Sequence, residues 1–255
     1  MTQFLSHLPH ILWPAAPSPA GAQLLALLFQ LQDSQWWPAN KLEAGQFRQL
    51  HGLLAHAWET IPFYRDRLTA AGFHPDHPLK RKQWQRLPIL TRSEVQAAGE
   101  ALFCPRPPDT HLPLHRISTS GSTGKPITVQ GTAVTQQFRS AFGLRDHLWQ
   151  QRDFGAKLAA IRGIHDPAKQ GGHQRHPSWA LPVAFVFASG PASLLEITAP
   201  IATQADWLLR EAPAYLLTYP TNALALAEHF LGHGLSLPSL RQVQTIGESL
   251  PDNLR

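Results

Sequence analysis

From about Leu112 onward, short segments with strand-type patterns alternate with longer segments that have helical apolar spacing. We expect strands at residues 114–118, 127–130, 157–161, 183–187, 215–218 and 242–246. Helices are expected at 133–150, 203–211, 221–233 and from Pro251 onward. The helical residues expected to pack in the core are Trp207, Leu208, Leu224, Ala227 and Leu231. Alternation of this kind indicates an α/β fold in which helices flank a sheet.

The first third of the chain lacks this alternation and has mainly helical patterns. Apolar residues recur at helical spacing over 20–34 and 42–59, and a short helix is expected over 63–71. Pro62 should end the second helix, and the capping-box pair Thr91 and Glu94 should begin a further one. We therefore expect a mostly helical region at 1–111, followed by a partial parallel or mixed sheet with flanking helices at 112–255.

The composition is that of a globular protein. The chain has 255 residues, of which 43% are hydrophobic and 15% charged. The single cysteine, Cys104, excludes an internal disulfide, and we interpret it as a small buried residue. The apolar run at 24–29 is too short to span a bilayer and no cationic segment precedes it. A cytoplasmic location is therefore expected, without a membrane span or a secretory signal.

The formal net charge of +5 raises the question of a nucleic-acid partner. However, the cations of residues 65–92 are interleaved with Asp66 and Asp76, and no repeated aromatic platform accompanies them. This pattern favours a solvated surface, so no nucleic acid is expected. An anionic partner such as CoA or an acyl-carrier domain could use the same surface.

Three histidines, His165, His173 and His176, lie in or beside a stretch rich in Pro, Gly and His at 166–178. No patterned cysteine or carboxylate accompanies them, so their spacing does not specify a metal site. We interpret the stretch as a solvated surface loop and assign no metal ligand.

Residues 117–126 read Ile-Ser-Thr-Ser-Gly-Ser-Thr-Gly-Lys-Pro and concentrate hydroxyls, glycines and a lysine more densely than the rest of the chain. Gly121 and Gly124 allow a sharp turn and close approach to an anion, and Lys125 adds a positive charge. The segment is not a Walker A loop, because its glycines are too close together and Pro126 follows the lysine. The expected strands on either side favour a phosphate-binding loop over a flexible linker.

This loop, Thr119-Ser120-Gly121-Ser122-Thr123-Gly124-Lys125-Pro126, resembles the phosphate-loop signature of the adenylate-forming enzymes, which include acyl-CoA and aryl-CoA ligases. Other segments resemble the phenylacetate-CoA ligase branch and its capsule-biosynthesis relatives. In chain order they are Ile-Pro-Phe-Tyr-Arg at 61–65, Ala-Gly-Phe at 71–73, Leu-Pro-Ile-Leu-Thr-Arg at 87–92, Leu-Thr-Tyr-Pro-Thr at 217–221 and Gln-Thr-Ile-Gly-Glu-Ser-Leu-Pro at 244–251. The resemblance runs from about Leu50 to Arg255, and it implies an incomplete large N-terminal domain of an adenylate-forming enzyme.

The resemblance also implies an activity and a set of binding residues. An enzyme of this family joins a carboxylic acid, aromatic or of another kind, to AMP and then to a thiol. The implied cofactors and partners are ATP, Mg²⁺, the small acid, and CoA or an acyl-carrier thiol. The residues implied to bind the ATP phosphates are Thr119, Ser120, Gly121, Ser122, Thr123, Gly124 and Lys125. Those implied to flank adenine are Gly247, Glu248 and Ser249, and those implied to line the acyl pocket are Tyr219, Pro220 and Thr221.

Spacing alone leaves both of these last triplets open to simpler interpretations. Gly247-Glu248-Ser249 could be an ordinary turn, and Tyr219-Pro220-Thr221 could be a strand-to-helix turn with Thr221 as the helix N-cap. No catalytic residue is assigned from the sequence.

Later motifs of the family, which supply a glutamate for Mg²⁺, an aspartate for ribose and the adenylation lysine, have no counterpart in this sequence. We therefore expect the chain to be inactive in adenylation by itself. It is either the N-terminal part of a longer ligase or a truncated non-catalytic remnant that binds nucleotide or a partner protein. An uncovered sheet edge would favour homodimers or self-association, unless the first forty or so residues cover it.

Overall fold

The computed structural model describes residues 3–118, 126–164 and 172–250. The chain forms two compact units, one of Leu27–Phe142 and the other of Met1–Ala26 with Gly143–Arg255. The fold is mixed α/β, as the sequence predicts. The helix expected from Pro251 onward lies outside the described residues. No helix in the described part of the chain is both long and apolar enough to cross a membrane.

The Leu27–Phe142 unit is mainly helical. Its elements include part of α1 (Pro19–Ser34), then α2 (Ala39–Thr60), α3 (Pro62–Ala70), α4 (Arg81–Arg86), α5 (Arg92–Ala98), the hairpin of β1 (Leu114–Ser118) and β2 (Thr128–Thr132), and the first part of α6 (Ala133–Trp149). As predicted, α2 ends before Pro62, which becomes the first residue of α3. Leu68, Phe73 and Leu79 form the buried core of this unit. The sequence patterns do not indicate α4.

The predicted capping box begins α5. The Thr91 hydroxyl accepts a hydrogen bond from the backbone N–H of Glu94, and the Thr91 N–H donates to the Glu94 carboxylate at 2.7 Å. Arg67 Nη1 lies 2.8 Å from the other oxygen of that carboxylate. Hydrogen bonds from the Thr91 side chain and backbone, followed by the one from Arg67, lower the pKa of Glu94 to about 2.

The other unit contains a five-stranded mixed sheet with the order β4-β5-β3-β6-β7. The strands are β3 (Leu158–Arg162), β4 (His173–His176), β5 (Ala192–Glu196), β6 (Tyr215–Thr218) and β7 (Gln242–Thr245). Strand β4 is antiparallel to β5, and the other four strands are mutually parallel. Helix α7 (Ile201–Glu211) connects β5 to β6, and α8 (Pro220–Gly232) follows β6.

Two expectations about the strands are wrong. The strand expected at 183–187 is a 3-10 turn over Val183–Phe185, because Val183, Val186 and Phe187 are the buried residues and their spacing is helical, not alternating. The loop expected at 166–178 contains β4, whose polar residues carry no strand pattern and which forms by pairing with β5. Strand β5 itself was not indicated, since Ala-Ser-Leu-Leu-Glu lacks β-branched residues.

The main core lies where α7 and α8 pack against one face of the sheet. Its buried residues are Ala159, Ile161, Leu195, Ala205, Trp207, Leu208, Leu216 and Leu226. Trp207 and Leu208 are therefore confirmed as core residues. The expectation for Leu224, Ala227 and Leu231 is wrong, because all are exposed and Leu231 retains 83% of its surface.

Helix α8 instead buries Asn222 and Leu226, four positions apart. Asn222 Nδ2 donates to Thr218 Oγ1 and to Gln204 Oε1, both at 2.9 Å. Because the buried stripe of α8 includes a polar residue, the buried face differs from the one predicted from apolar residues alone.

Candidate functional site

The parallel strands β3, β5, β6 and β7 all end at the same edge of the sheet, which we call the carboxyl edge. Two expected binding segments leave the sheet there: Tyr219-Pro220-Thr221 follows β6, and Gly247-Glu248-Ser249 follows β7. Because β6 and β7 are neighbours, the structure brings these two segments together. Open α/β sheets bind ligands at this edge.

Glu248 joins the two segments through its carboxylate. Thr221 donates to it twice, from the backbone N–H and from the hydroxyl, each at 3.1 Å. Thr221 is not the N-cap of α8, contrary to the simpler interpretation, because the helix begins at Pro220 and Tyr219 occupies the N-cap position. Tyr219 makes no side-chain cap hydrogen bond, so Glu248 supplies a negatively charged cap from a distant part of the sequence.

Gly247 lies against the ring of Tyr219. Its φ is +78°, and a Cβ at this position would lie 2.8 Å from Tyr219 Cε1. Both the backbone conformation and the close approach therefore require glycine. On the other side, the Gly163 N–H donates to the Tyr219 hydroxyl at 3.5 Å, so the ring also reaches the segment that follows β3.

A polar network lies beneath the Tyr219–Thr221 segment. Asn222 bonds to Thr218 and Gln204, and Gln204 Nε2 in turn donates to the carbonyl of Ala199 at 2.8 Å. At the end of β5, Glu196 is buried and accepts a hydrogen bond from the Ile164 N–H at 2.8 Å. These contacts fix the loops of the carboxyl edge to the sheet.

A cavity of about 330 Å³ lies against the sheet within the same unit. Its lining comprises Gly143, Asp146, His147, Leu158, Ala160, Arg162, His176, Trp179, Ala180, Leu181, Val183, Ala192, Ser193, Leu194, Leu217, Gln244 and Ile246. The lining is mostly apolar, and it includes neither Tyr219, Pro220 and Thr221 nor the Gly247-Glu248-Ser249 turn. Pockets of this kind, with a few polar groups, are suited to small ligands.

The polar side chains that line the cavity differ in whether they already have hydrogen-bond partners within the protein. Asp146 accepts hydrogen bonds from Arg152 Nη1 and Gln244 Nε2, both at 3.3 Å. His147 Nδ1 lies 2.6 Å from Arg152 Nη1. Burial, with the nearby Arg152 charge, lowers the pKa of His147 to about 4 although Asp146 opposes the shift. His147 is therefore neutral at pH 7, with Nδ1 accepting from the guanidinium.

Arg162 differs from Asp146 and His147 in this respect. It is the last residue of β3 and lines the cavity at the carboxyl edge. Its guanidinium makes no hydrogen bond or ion pair with the residues that the structure describes. Sequence reasoning missed this residue, although its period-two relation to Leu158 and Ala160 places all three on one face of the strand.

The proposed phosphate-binding residues Thr119, Ser120, Gly121, Ser122, Thr123, Gly124 and Lys125 lie outside the described residues. Their flanks are described and form an antiparallel hairpin in which Ser118 pairs with Thr128. The hydroxyls of this pair are 2.7 Å apart. Strands therefore flank the loop, as expected, with β1 at the predicted bounds and β2 slightly later than predicted.

Within the described ranges, no group of three or more His, Cys, Asp or Glu side chains could hold a metal ion. His173 and His176 lie exposed on β4, and His165 is outside the described residues. Cys104 is half-buried rather than fully buried, with Sγ 3.3 Å from His56 Nε2.

Comparison with known proteins identifies relatives of one kind. No family model matches the chain. Over 90 residues, which are 35% of this chain and 20% of the relative, it is 31% identical to the phenylacetate-coenzyme A ligase of Escherichia coli K12. The phenylacetate-coenzyme A ligase of Thermus thermophilus is 25% identical over 209 residues, which are 78% of this chain and 42% of that protein. The chain thus spans less than half the length of these relatives.

Solved structures show the same fold. A 2-hydroxyisobutyryl-CoA ligase in an open conformation, in complex with 2-HIB-AMP and CoA, matches with a TM-score of 0.60 and 19% identity, over 83% of this chain and 49% of that one. The same ligase in the postadenylation state with 2-HIB-AMP matches with a TM-score of 0.58 and 21% identity, over 82% of this chain and 44% of that one.

Proposed function

Because the chain is related to the phenylacetate-CoA ligases of the adenylate-forming superfamily, we propose that it is the N-terminal part of an ATP-dependent enzyme that activates a carboxylic acid. The acid is converted into an acyl-adenylate and then into a thioester of CoA or an acyl-carrier thiol. The observation that carries this proposal is the meeting of Tyr219 and Thr221 with Gly247 and Glu248 at the carboxyl edge. Partial coverage of the relatives fits an N-terminal portion.

Within residues 112–255, two segments would bind the nucleotide: the turn at 247–249 and the loop at 119–125. The backbone of Gly247-Glu248-Ser249 would flank the adenine ring, because glycine at 247 leaves room for a flat base. The Glu248 carboxylate is held by Thr221, so it would orient this turn without contacting the base directly. Residues 119–125 would bind the phosphates through hydroxyls, backbone amides and Lys125.

The cavity is the proposed site of the acid, and Tyr219, Pro220 and Thr221, which are not part of its lining, would meet the acid beyond the cavity at the carboxyl edge. Its apolar lining, including Trp179, suits a compact hydrocarbon or aromatic body. Arg162 would bind the carboxylate at the carboxyl edge, because its guanidinium has no partner among the described residues. An aromatic acid fits this lining, and the names of the curated relatives specify phenylacetate for those proteins.

In the proposed reaction, a carboxylate oxygen attacks the α-phosphorus of ATP, a new C–O–P linkage forms, and pyrophosphate leaves. The thiol sulfur then attacks the acyl carbon and AMP leaves. The residues of this chain would contribute positioning: they hold two anions close together and keep the acyl group away from water. Mg²⁺ would accompany the ATP phosphates.

Nucleotide binding provides the test. We expect Gly247→Val to abolish ATP binding measured by calorimetry, because its side chain would displace the Tyr219 ring. Gly234→Val is the matched control, since Gly234 also has a positive φ of +62° but a Cβ there meets nothing within 4 Å. Replacing Gly121 and Gly124 together by valine should also abolish binding. Unchanged ATP affinity in both loop and turn variants would refute the proposal.

The alternative is a truncated, non-catalytic remnant that binds nucleotide or a partner protein. This role would need only the 119–125 loop and the Gly247-Glu248-Ser249 turn. Acid-dependent exchange of pyrophosphate into ATP separates the two, and we expect none from this chain alone. Exchange restored by adding the remaining part of a related ligase would favour the enzyme, and ATP binding without any restored exchange would favour the remnant. A cytoplasmic location remains part of either proposal.

A further inference from the structure

A loop near the start of the chain projects apolar side chains into solvent. Four of its residues are large and apolar, and we call them the apolar tip: Leu8, Ile11, Leu12 and Trp13. Leu12 and Trp13 retain 77% and 86% of their surface, and Leu8 and Ile11 retain 47% and 44%. The tip is thus more exposed than is usual for adjacent apolar residues in a globular protein.

The base of this loop is firmly attached to its own unit. The Leu5 N–H donates to the Val186 carbonyl at 2.8 Å, and Phe4 pairs with Phe187 with ring centroids 4.9 Å apart. The loop is closed by hydrogen bonds from the His7 N–H to the Ala16 carbonyl and from the Ala16 N–H to Ser6 Oγ. The tip is therefore held out by a structured base and is not a frayed end.

The chemistry around the tip matches a lipid surface. No Asp, Glu, Lys or Arg precedes Asp33 in the sequence, so His7 and His10 are the only side chains of the loop that can carry a charge on insertion. Pro9 and Pro14 lack backbone N–H groups, which reduces the number of donors that would need partners in an apolar medium. Tryptophan beside aliphatic residues is typical of the interfacial region of bilayers.

A specific protein partner is a poorer match for these observations. Protein interfaces contain about one hydrogen bond per 100–200 Å² and have a polar rim, whereas the tip offers mainly non-directional apolar contact. We propose that the apolar tip inserts into the surface of a lipid bilayer and attaches the protein peripherally. The proposal does not depend on the proposed enzymatic function.

Flotation of the purified chain with phosphatidylcholine vesicles tests this. Because the tip carries no charge, we expect binding to these zwitterionic vesicles, with little change between about 0.1 and 1 M salt, a range over which the Debye length falls severalfold. The variant Leu12→Ser/Trp13→Ser should bind at least tenfold more weakly. Quenching of tryptophan fluorescence by brominated lipid should be seen in the wild type and be lost in this variant.

The matched control is Trp36→Ser/Leu231→Ser, which removes the same two residue types from other sites that are 81% and 83% exposed. It should retain wild-type vesicle binding. Equal loss in both double variants, binding only to vesicles with phosphatidylserine and reversed by salt, or no wild-type binding would each overturn the proposal. So would a tip-dependent dimer seen by sedimentation without lipid, which would make a second copy the occupant.

Discussion

The two ends of the five-stranded sheet each depend on a glutamate, but the two carboxylates are used differently. At the amino end, Glu211 is buried and bonds to Lys157, Arg175 and Ser193. At the carboxyl edge, Glu248 is exposed and bonds to a single residue, Thr221. One end of the sheet is thus held together by a buried carboxylate that has three side-chain partners. The other end has the exposed Glu248 and an Arg162 that has no side-chain partner among the described residues.

Predictions for this comparison are ordered by their expected effect on the free energy of unfolding. The largest concerns Glu211→Gln. This change would remove the buried carboxylate shared by Lys157 and Arg175, whose own side chains are 31% and 68% exposed, and we expect a loss of about 2–3 kcal/mol at pH 7 in urea unfolding. Glu228→Gln, on the exposed side of α8, is the control and should change stability by less than about 0.5 kcal/mol. A similar loss of stability in both variants would contradict the stabilising role of Glu211.

Acid should act on the same cluster. Burial raises the pKa of Glu211, but hydrogen bonds from Arg175, Ser193 and Lys157 outweigh it and lower the pKa to about 2, from 4.5. Because the folded-state pKa is depressed, this stabilisation is complete above about pH 5 and is lost as the pH falls towards 2. We expect wild type to lose about 3 kcal/mol more than Glu211→Gln over that range. If the free energies of unfolding of the two proteins changed in parallel with pH, protonation of Glu211 would not be linked to unfolding.

Sequence patterns predicted the elements of the chain whose local signals are strong. β6 has the predicted bounds, and α2 ends at the predicted proline. Prediction failed where tertiary contacts decide the conformation, as in β4, which is a strand only through its pairing with β5, and in Asn222, which is buried through hydrogen bonds. The segments of the candidate site were found by their motifs. Their contact through Glu248 and Thr221 depends on the strand order, which the sequence does not specify.

A smaller effect is expected at the carboxyl edge from Glu248→Gln. The carboxylate caps α8 through the Thr221 N–H and hydroxyl, and an amide retains one acceptor oxygen but loses the charge at the helix N-terminus. We expect a loss of about 1 kcal/mol, typical of a helix cap. Thr221→Val in the same measurement removes only the hydroxyl contact. If Glu248→Gln were as destabilising as Glu211→Gln, the contrast between the two ends would be wrong.

The smallest effect on folding is expected from Arg162→Gln. This variant should weaken the binding of a carboxylic acid while leaving the stability of the fold unchanged. Since the Arg162 guanidinium makes no ion pair or hydrogen bond with the described residues, its removal should change unfolding by less than about 0.5 kcal/mol. Binding of phenylacetate, measured by calorimetry, should nevertheless weaken about tenfold or more, because a charge-assisted contact is lost. Phenylacetamide, which has the same body without the charge, should bind wild type and variant alike, and Arg210→Gln on α7 should leave both ligands unaffected. Loss of amide binding together with acid binding would mean that Arg162 shapes the cavity, and equal binding of the acid to both proteins would place its carboxylate elsewhere. Arg162 would act as an anchor for the carboxylate only if acid affinity falls while amide affinity and folding stay constant.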